Sequence, residues 1–120
     1  MAKTIYVGDT ITMTLQLRTK DLVNPELENY FPLPATRTIV ARLPGVTASV
    51  VASSANPGEI TVVDSAKSTI TAVWVPANTI NLAEGDAAVD VIVTDTGVVP
   101  NVVTTFEKLK VVKIKAAENP

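Results

Sequence analysis

The groups that could do chemistry in this chain are mostly carboxylates and lysines, because its 120 residues include neither histidine nor cysteine. That absence removes disulfides, thiolate chemistry, the usual zinc ligands and the commonest general base at neutral pH. Serine and threonine are plentiful, but no Ser-His-Asp relay can be assembled from them. The sharpest candidate is Asp95-Thr96-Gly97, an aspartate following an apolar stretch. Two such aspartates brought together would share one proton, one serving as acid and the other as base. Glu84, Asp86, Asp90 and Asp95 could collect calcium through oxygen ligands. Their spacing lacks the dense Asp/Asn alternation of a dedicated calcium loop, so they read as solvated loop acids. Lys108, Lys110, Lys113 and Lys115 form a basic cluster on a strand, where lysines commonly guard against edge-to-edge aggregation.

Asp95-Thr96-Gly97 resembles the catalytic tripeptide of retroviral-type aspartic proteases, which act as dimers. The resemblance ends there, since residues 98–120 read as one strand with no glycine-rich flap. Asp and Gly also suit the left-handed conformations of a tight hairpin turn, and that reading leads. No catalytic, cofactor-binding or metal-binding residue is assigned, and the chain is expected not to be an enzyme.

The elements that would position these groups are strands. Residues 10–17 alternate strictly, with Ile11, Met13, Leu15 and Leu17 on one face and Thr10, Thr12, Thr14 and Gln16 on the other. Tyr6 and Val7 suggest a shorter edge strand. Further strands are expected at 37–43, 46–52, 59–63, 68–75 and 87–94, each bounded by turn residues such as Pro44-Gly45 and Asn56-Pro57-Gly58. Ile70, Ala72 and Trp74 share one face, as do Val89, Val91 and Val93, and Trp74 is expected to fill the core. The last strand, 103–115, changes phase at Val111-Val112, which suggests a β-bulge there. Residues 77–84 have room for one helical turn. Residues 20–36 contain Pro25, Pro32 and Pro34 and read as a long loop. Its Leu22, Leu27, Tyr30, Phe31 and Leu33 are too apolar for a free linker and are the candidate partner-binding residues. Residues 116–120 should fray.

Seven to eight strands and no convincing helix predict an all-β chain, an immunoglobulin-like antiparallel β-sandwich forming a single domain over 1–120. A net charge of -2 gives no positive field to draw nucleic acid. No run approaches the roughly eighteen apolar residues of a membrane helix, and the N-terminus does not read as a signal peptide. Hydrophobic residues make up 47% but aromatics only 4%, so aliphatic surface is expected to remain for partners.

Gly8-Asp9-Thr10 before the alternating strand, Leu82-Ala83-Glu84-Gly85-Asp86 leading into Val89, Val91 and Val93, and the Asp95-Thr96-Gly97 turn span most of the chain. In these marks the chain resembles the immunoglobulin-like domains of tailed-bacteriophage virion proteins, particularly the N-terminal domain of baseplate upper proteins. It departs from that pattern at Ala87 and Ala88, where an aromatic often follows the glycine, and in its longer early loop. The resemblance implies a non-catalytic structural or adaptor protein of a baseplate, neck or capsid decoration. Its partners would be other virion proteins and itself as a homo-oligomer, with no cofactor, nucleic acid or membrane. Its place would be the virion, after assembly in the host cytoplasm. The alternative is a host-surface or carbohydrate-recognition module, for which Tyr30-Phe31 would be the place to look, and the third reading is the dimeric peptidase.

Overall fold

The strict alternation of residues 10–17 becomes a strand with one buried face. In the computed structural model, which describes residues 3–20 and 28–116, Ile11, Met13, Leu15 and Leu17 are buried and Thr12 and Thr14 are exposed. Ten strands form among the described residues. They are β1 (Lys3–Tyr6), β2 (Ile11–Gln16), β3 (Arg18–Lys20), β4 (Glu28–Tyr30), β5 (Arg37–Leu43), β6 (Val50–Ser53), β7 (Ile60–Asp64), β8 (Thr69–Trp74), β9 (Gly85–Asp95) and β10 (Val102–Lys115). One helical turn, α1 (Pro76–Thr79), follows β8, with proline opening the turn where its missing N–H is harmless. The protein is all-β. No helix among the described residues is long and apolar enough to cross a membrane.

A five-stranded sheet runs β1-β10-β9-β5-β6, a three-stranded sheet runs β2-β8-β7, and β3 and β4 form a separate ribbon. One buried cluster draws on both larger sheets: Val89, Val91, Val93, Ile39 and Val112 from the first, Met13, Ile70 and Trp74 from the second. Small residues sit among large ones, as where Ala72 opposes Met13 and Ala41 opposes Val91, which lets two apolar faces interdigitate. Trp74 is fully buried on β8, the middle strand of the smaller sheet. Its indole Nε1 has no hydrogen-bond partner.

Backbone hydrogen bonds and turns carry the chain between sheets. Gly8, at φ 88°, lies in the turn closed by Asp9 N–H on the Tyr6 carbonyl, and takes the chain from β1 to β2. The buried Thr79 Oγ1 donates to the Asp9 carbonyl at 2.7 Å, tying α1 to that corner. At Gly45, whose neighbour Val46 donates to the Asn81 carbonyl, any Cβ would collide with the Ala48 carbonyl oxygen.

The strands at 37–43, 59–63, 68–75 and 87–94 form within a residue or two of their expected limits. Several other features differ. The larger sheet is not purely antiparallel, because β1 runs parallel to β10, Lys3 opposite Val112 through Tyr6 opposite Lys115. Strand 46–52 begins only at Val50, since residues before it turn to bring Gly45 opposite Leu82. The expected loop at 20–36 contains β4, which pairs with β3. The ten strands exceed the expected seven to eight because β3, β4 and the full β1 carry too few alternating apolar residues to stand out. The bulge is not at Val111-Val112 but between Phe106 and Lys110, where four steps on β10 match two on β9. Two extra residues leave the inward parity unchanged, so Phe106, Val112 and Ile114 are all buried while Val111 is exposed. Ala116 is exposed, and the rest of the expected tail lies outside the described residues.

Replacing Trp74 tests this core. Trp74→Ala is expected to lose about 3–5 kcal/mol in urea unfolding. Trp74→Phe should lose less than about 2 kcal/mol, because it removes the unpartnered donor together with part of the ring. Similar losses from both would show that Nε1 is hydrogen-bonded in solution.

Candidate partner-binding surface

The ribbon β3–β4 leaves the smaller sheet at Leu17, and three hydrogen bonds anchor its return. Phe31 N–H donates to the Leu17 carbonyl and Leu17 N–H to the Ser68 carbonyl, each at 2.9 Å. Ser68 Oγ donates in turn to the Phe31 carbonyl. Ser68 is buried with φ 47°, a left-handed conformation that turns its hydroxyl and carbonyl toward two different segments. Phe31 is thereby set against Phe106, ring centroids 4.9 Å apart and planes at 75°. This edge-to-face contact is a favourable aromatic geometry.

Of the five candidate residues, Phe31 and Leu33 are half-buried and pack on the core. Tyr30 is exposed, directly opposite Arg18 in the ribbon, with the guanidinium 5.1 Å from its ring centroid. Gln16 Oε1 accepts from Arg18 Nε at 2.8 Å and holds that guanidinium in place. One face of the Tyr30 ring therefore carries a cation instead of standing open for a sugar ring. Leu22 and Leu27 lie outside the described residues.

The carboxylates do not gather. Asp95 ends β9, and its Oδ1 accepts the Gly97 N–H at 2.9 Å, closing an Asx turn at the start of the β9–β10 hairpin. Asp90 Oδ1 accepts the Lys108 N–H at 2.9 Å, which holds Lys108 at φ 54° in the bulge, and Asp90 Oδ2 lies 3.6 Å from an Arg42 nitrogen. Among the described residues no three acidic side chains group to hold a metal ion. Lys113 and Lys115 are exposed beside β1, Lys110 is half-buried opposite Val89, and Lys108 stands in the bulge, so the four lysines form no single basic face. An open groove of about 500 Å³ between β5 and β7, lined by Arg37, Ile39, Ile60 and Val62 among others, has no aromatic side chain.

The surface that sequence reasoning passed over is the end of the β9–β10 hairpin. Val98, Val99, Val102 and Val103 are all exposed there, Val99 by 99%. A signal was available, since residues 96–106 contain no charged residue. No protein-family model matches this chain, and no curated protein matches it in sequence.

Ser68→Ala should lose about 1–3 kcal/mol, because it leaves the Phe31 carbonyl without its donor. Amide exchange at Phe31 should accelerate with it. Tyr30→Ala should change stability by less than about 1 kcal/mol, the range for an exposed cation–π pair. A large loss from Tyr30→Ala would show that this ring supports the fold instead of standing ready for a partner.

Proposed function

We propose that this chain is a non-catalytic structural or adaptor component of a tailed-phage particle, built on an immunoglobulin-like sandwich. The observation that carries the assembly part is the aliphatic surface left in water at the end of the β9–β10 hairpin, where Val99, Val102 and Val103 are each at least 56% exposed. Isolated exposed valines are ordinary, but a cluster of them on one projecting element marks a contact surface.

Strand order supports the immunoglobulin-like reading. The order β10-β9-β5-β6 corresponds to an immunoglobulin GFC sheet extended by a further strand, and β2-β8-β7 to the B, E and D strands of its partner. The chain differs in pairing its first strand with β10, in lacking cysteine, and in placing its tryptophan on β8, the E-strand position. The particle assignment rests on the resemblance in Gly8-Asp9-Thr10, the 82–86 corner and the 95–97 turn. In that setting Tyr30 and the exposed valines meet neighbouring virion proteins, and many copies add avidity to modest single contacts.

The test is mass spectrometry of density-banded phage particles from the organism that encodes the chain. A fixed stoichiometry with the particle proteins is expected, and recovery of the chain only in the particle-free fraction would overturn the virion reading. A peptidase assay of the purified chain at mildly acidic pH is expected to show no cleavage. Activity lost on Asp95→Asn would restore the enzymatic reading, because asparagine keeps the oxygen that accepts the Gly97 N–H.

A further inference from the structure

The edges of the two larger sheets are not equally protected. β2 has its Thr12 carbonyl met by Lys3 Nζ at 3.4 Å, β6 has only four residues, and β7 is broken by a register shift before Asp64. Lysines, short strands and bulges are the usual defences of an open edge. The first half of β10 has none of them. β1 covers β10 only from Val112 to Lys115, so among the described residues no strand pairs with 102–106 on the side away from β9. That segment, Val102-Val103-Thr104-Thr105-Phe106, keeps regular register with β9 from Asp95 to Val91. It therefore presents a row of outward backbone N–H and C=O groups.

We infer that this edge pairs antiparallel with the same edge of a second copy, two-fold symmetric about Thr104. Three observations single out a copy of this chain as the occupant. The first is charge: residues 96–106 are uncharged, so pairing about Thr104 sets Val102 opposite Phe106 and Val103 opposite Thr105 with no like charges opposed. The flanks then bring Glu107 to Asn101 and Lys108 to Pro100. The second is symmetry. Outward-directed backbone groups alternate along a strand, so a self-pair must be centred on a residue, and the choice of residue is narrow. A centre at Val103 would place Pro100, which has no N–H, against Phe106, and a centre at Thr105 would run into the bulge at Lys108. Thr104 alone uses all five residues, and the pair closes on itself without growing into a filament.

The third is area. Val102 and Val103 in the paired segment are 56% and 59% exposed, and Val98 and Val99 beside it 41% and 99%, so each copy offers apolar surface at this edge. Pairing covers the outward valine surface, the backbone edge, Thr104 and Thr105, which stays below the about 1,200 Å² in total of a stable interface and places the contact at the weak end. A reversible dimer follows, and it goes beyond the particle reading without depending on it.

The test is light scattering after size exclusion, from about 10 µM to about 1 mM, on the full chain. The mass should rise from one copy toward two and stop there. Val103→Lys, at an exposed position, should keep the far-UV spectrum and remain a monomer, while Val63→Lys on β7 should dimerise as the unmodified chain does. Because the chain has no cysteine, Thr104→Cys supplies a register test. Opposed residues lie about 4.5–5.5 Å apart at Cα, within the range a disulfide spans, so mild oxidation should give a covalent dimer. A monomer throughout the range overturns the inference even if the chain is found in particles. Dimerisation that survives Val103→Lys, or is abolished by Val63→Lys, overturns it as well.

Discussion

Each strand here can bury only one of its two faces, and one cluster buries apolar residues of both larger sheets, with Phe31 and Leu33 packed against it. β9 carries this constraint at its most demanding, because it pairs with β10 on one side and β5 on the other. Its Val89, Val91 and Val93 are buried, and its Asp90 is turned away toward Arg42 and the Lys108 amide. A slip of one residue would reverse every side chain, turning the three valines to water and Asp90 to the core. Burying an unpaired carboxylate costs far more than any single valine contributes, so the register of β9 fixes that of both neighbours.

Polar ties at the corners complete what apolar burial begins. Thr79 joins α1 to the β1–β2 corner across seventy positions of sequence. Ser68 joins the β7–β8 turn to Leu17 and Phe31. Glu59, buried at the start of β7, accepts the Ser53 N–H at 3.0 Å and the Asn56 side-chain N–H at 3.3 Å, closing the β6–β7 turn. These are single contacts with wide effect, because each sets the direction in which a strand enters its sheet. Gly45 acts likewise by subtraction, since a side chain there has no room beside Ala48.

The surface was only partly legible. The apolar loop residues drew attention by composition, yet composition does not tell a residue that covers the core from one that faces a partner. Phe31 covers the core because Ser68 and Leu17 hold its backbone, and neither tie is visible in its local sequence. The hairpin valines drew no attention because Val102 and Val103 look like any strand start. They are exposed at successive positions, so neither face of the hairpin end is covered there by the described residues.

What the sequence by itself determined is the inward faces of the strongly alternating strands: alternation in 10–17, in 69–74 and in 87–94 commits those residues, because a period of two has one solution on a pleated sheet. It also determined the turns at Asn56-Pro57-Gly58 and Asp95-Thr96-Gly97, whose chemistry is local. Only the tertiary structure decided the parallel pairing of β1 with β10, the pairing of β3 with β4 and the place of the bulge. Each of these depends on which distant segment supplies the partner backbone. A bulge of two residues leaves no trace in the alternation, since an even insertion preserves the face, and it shows only against the count of residues on β9.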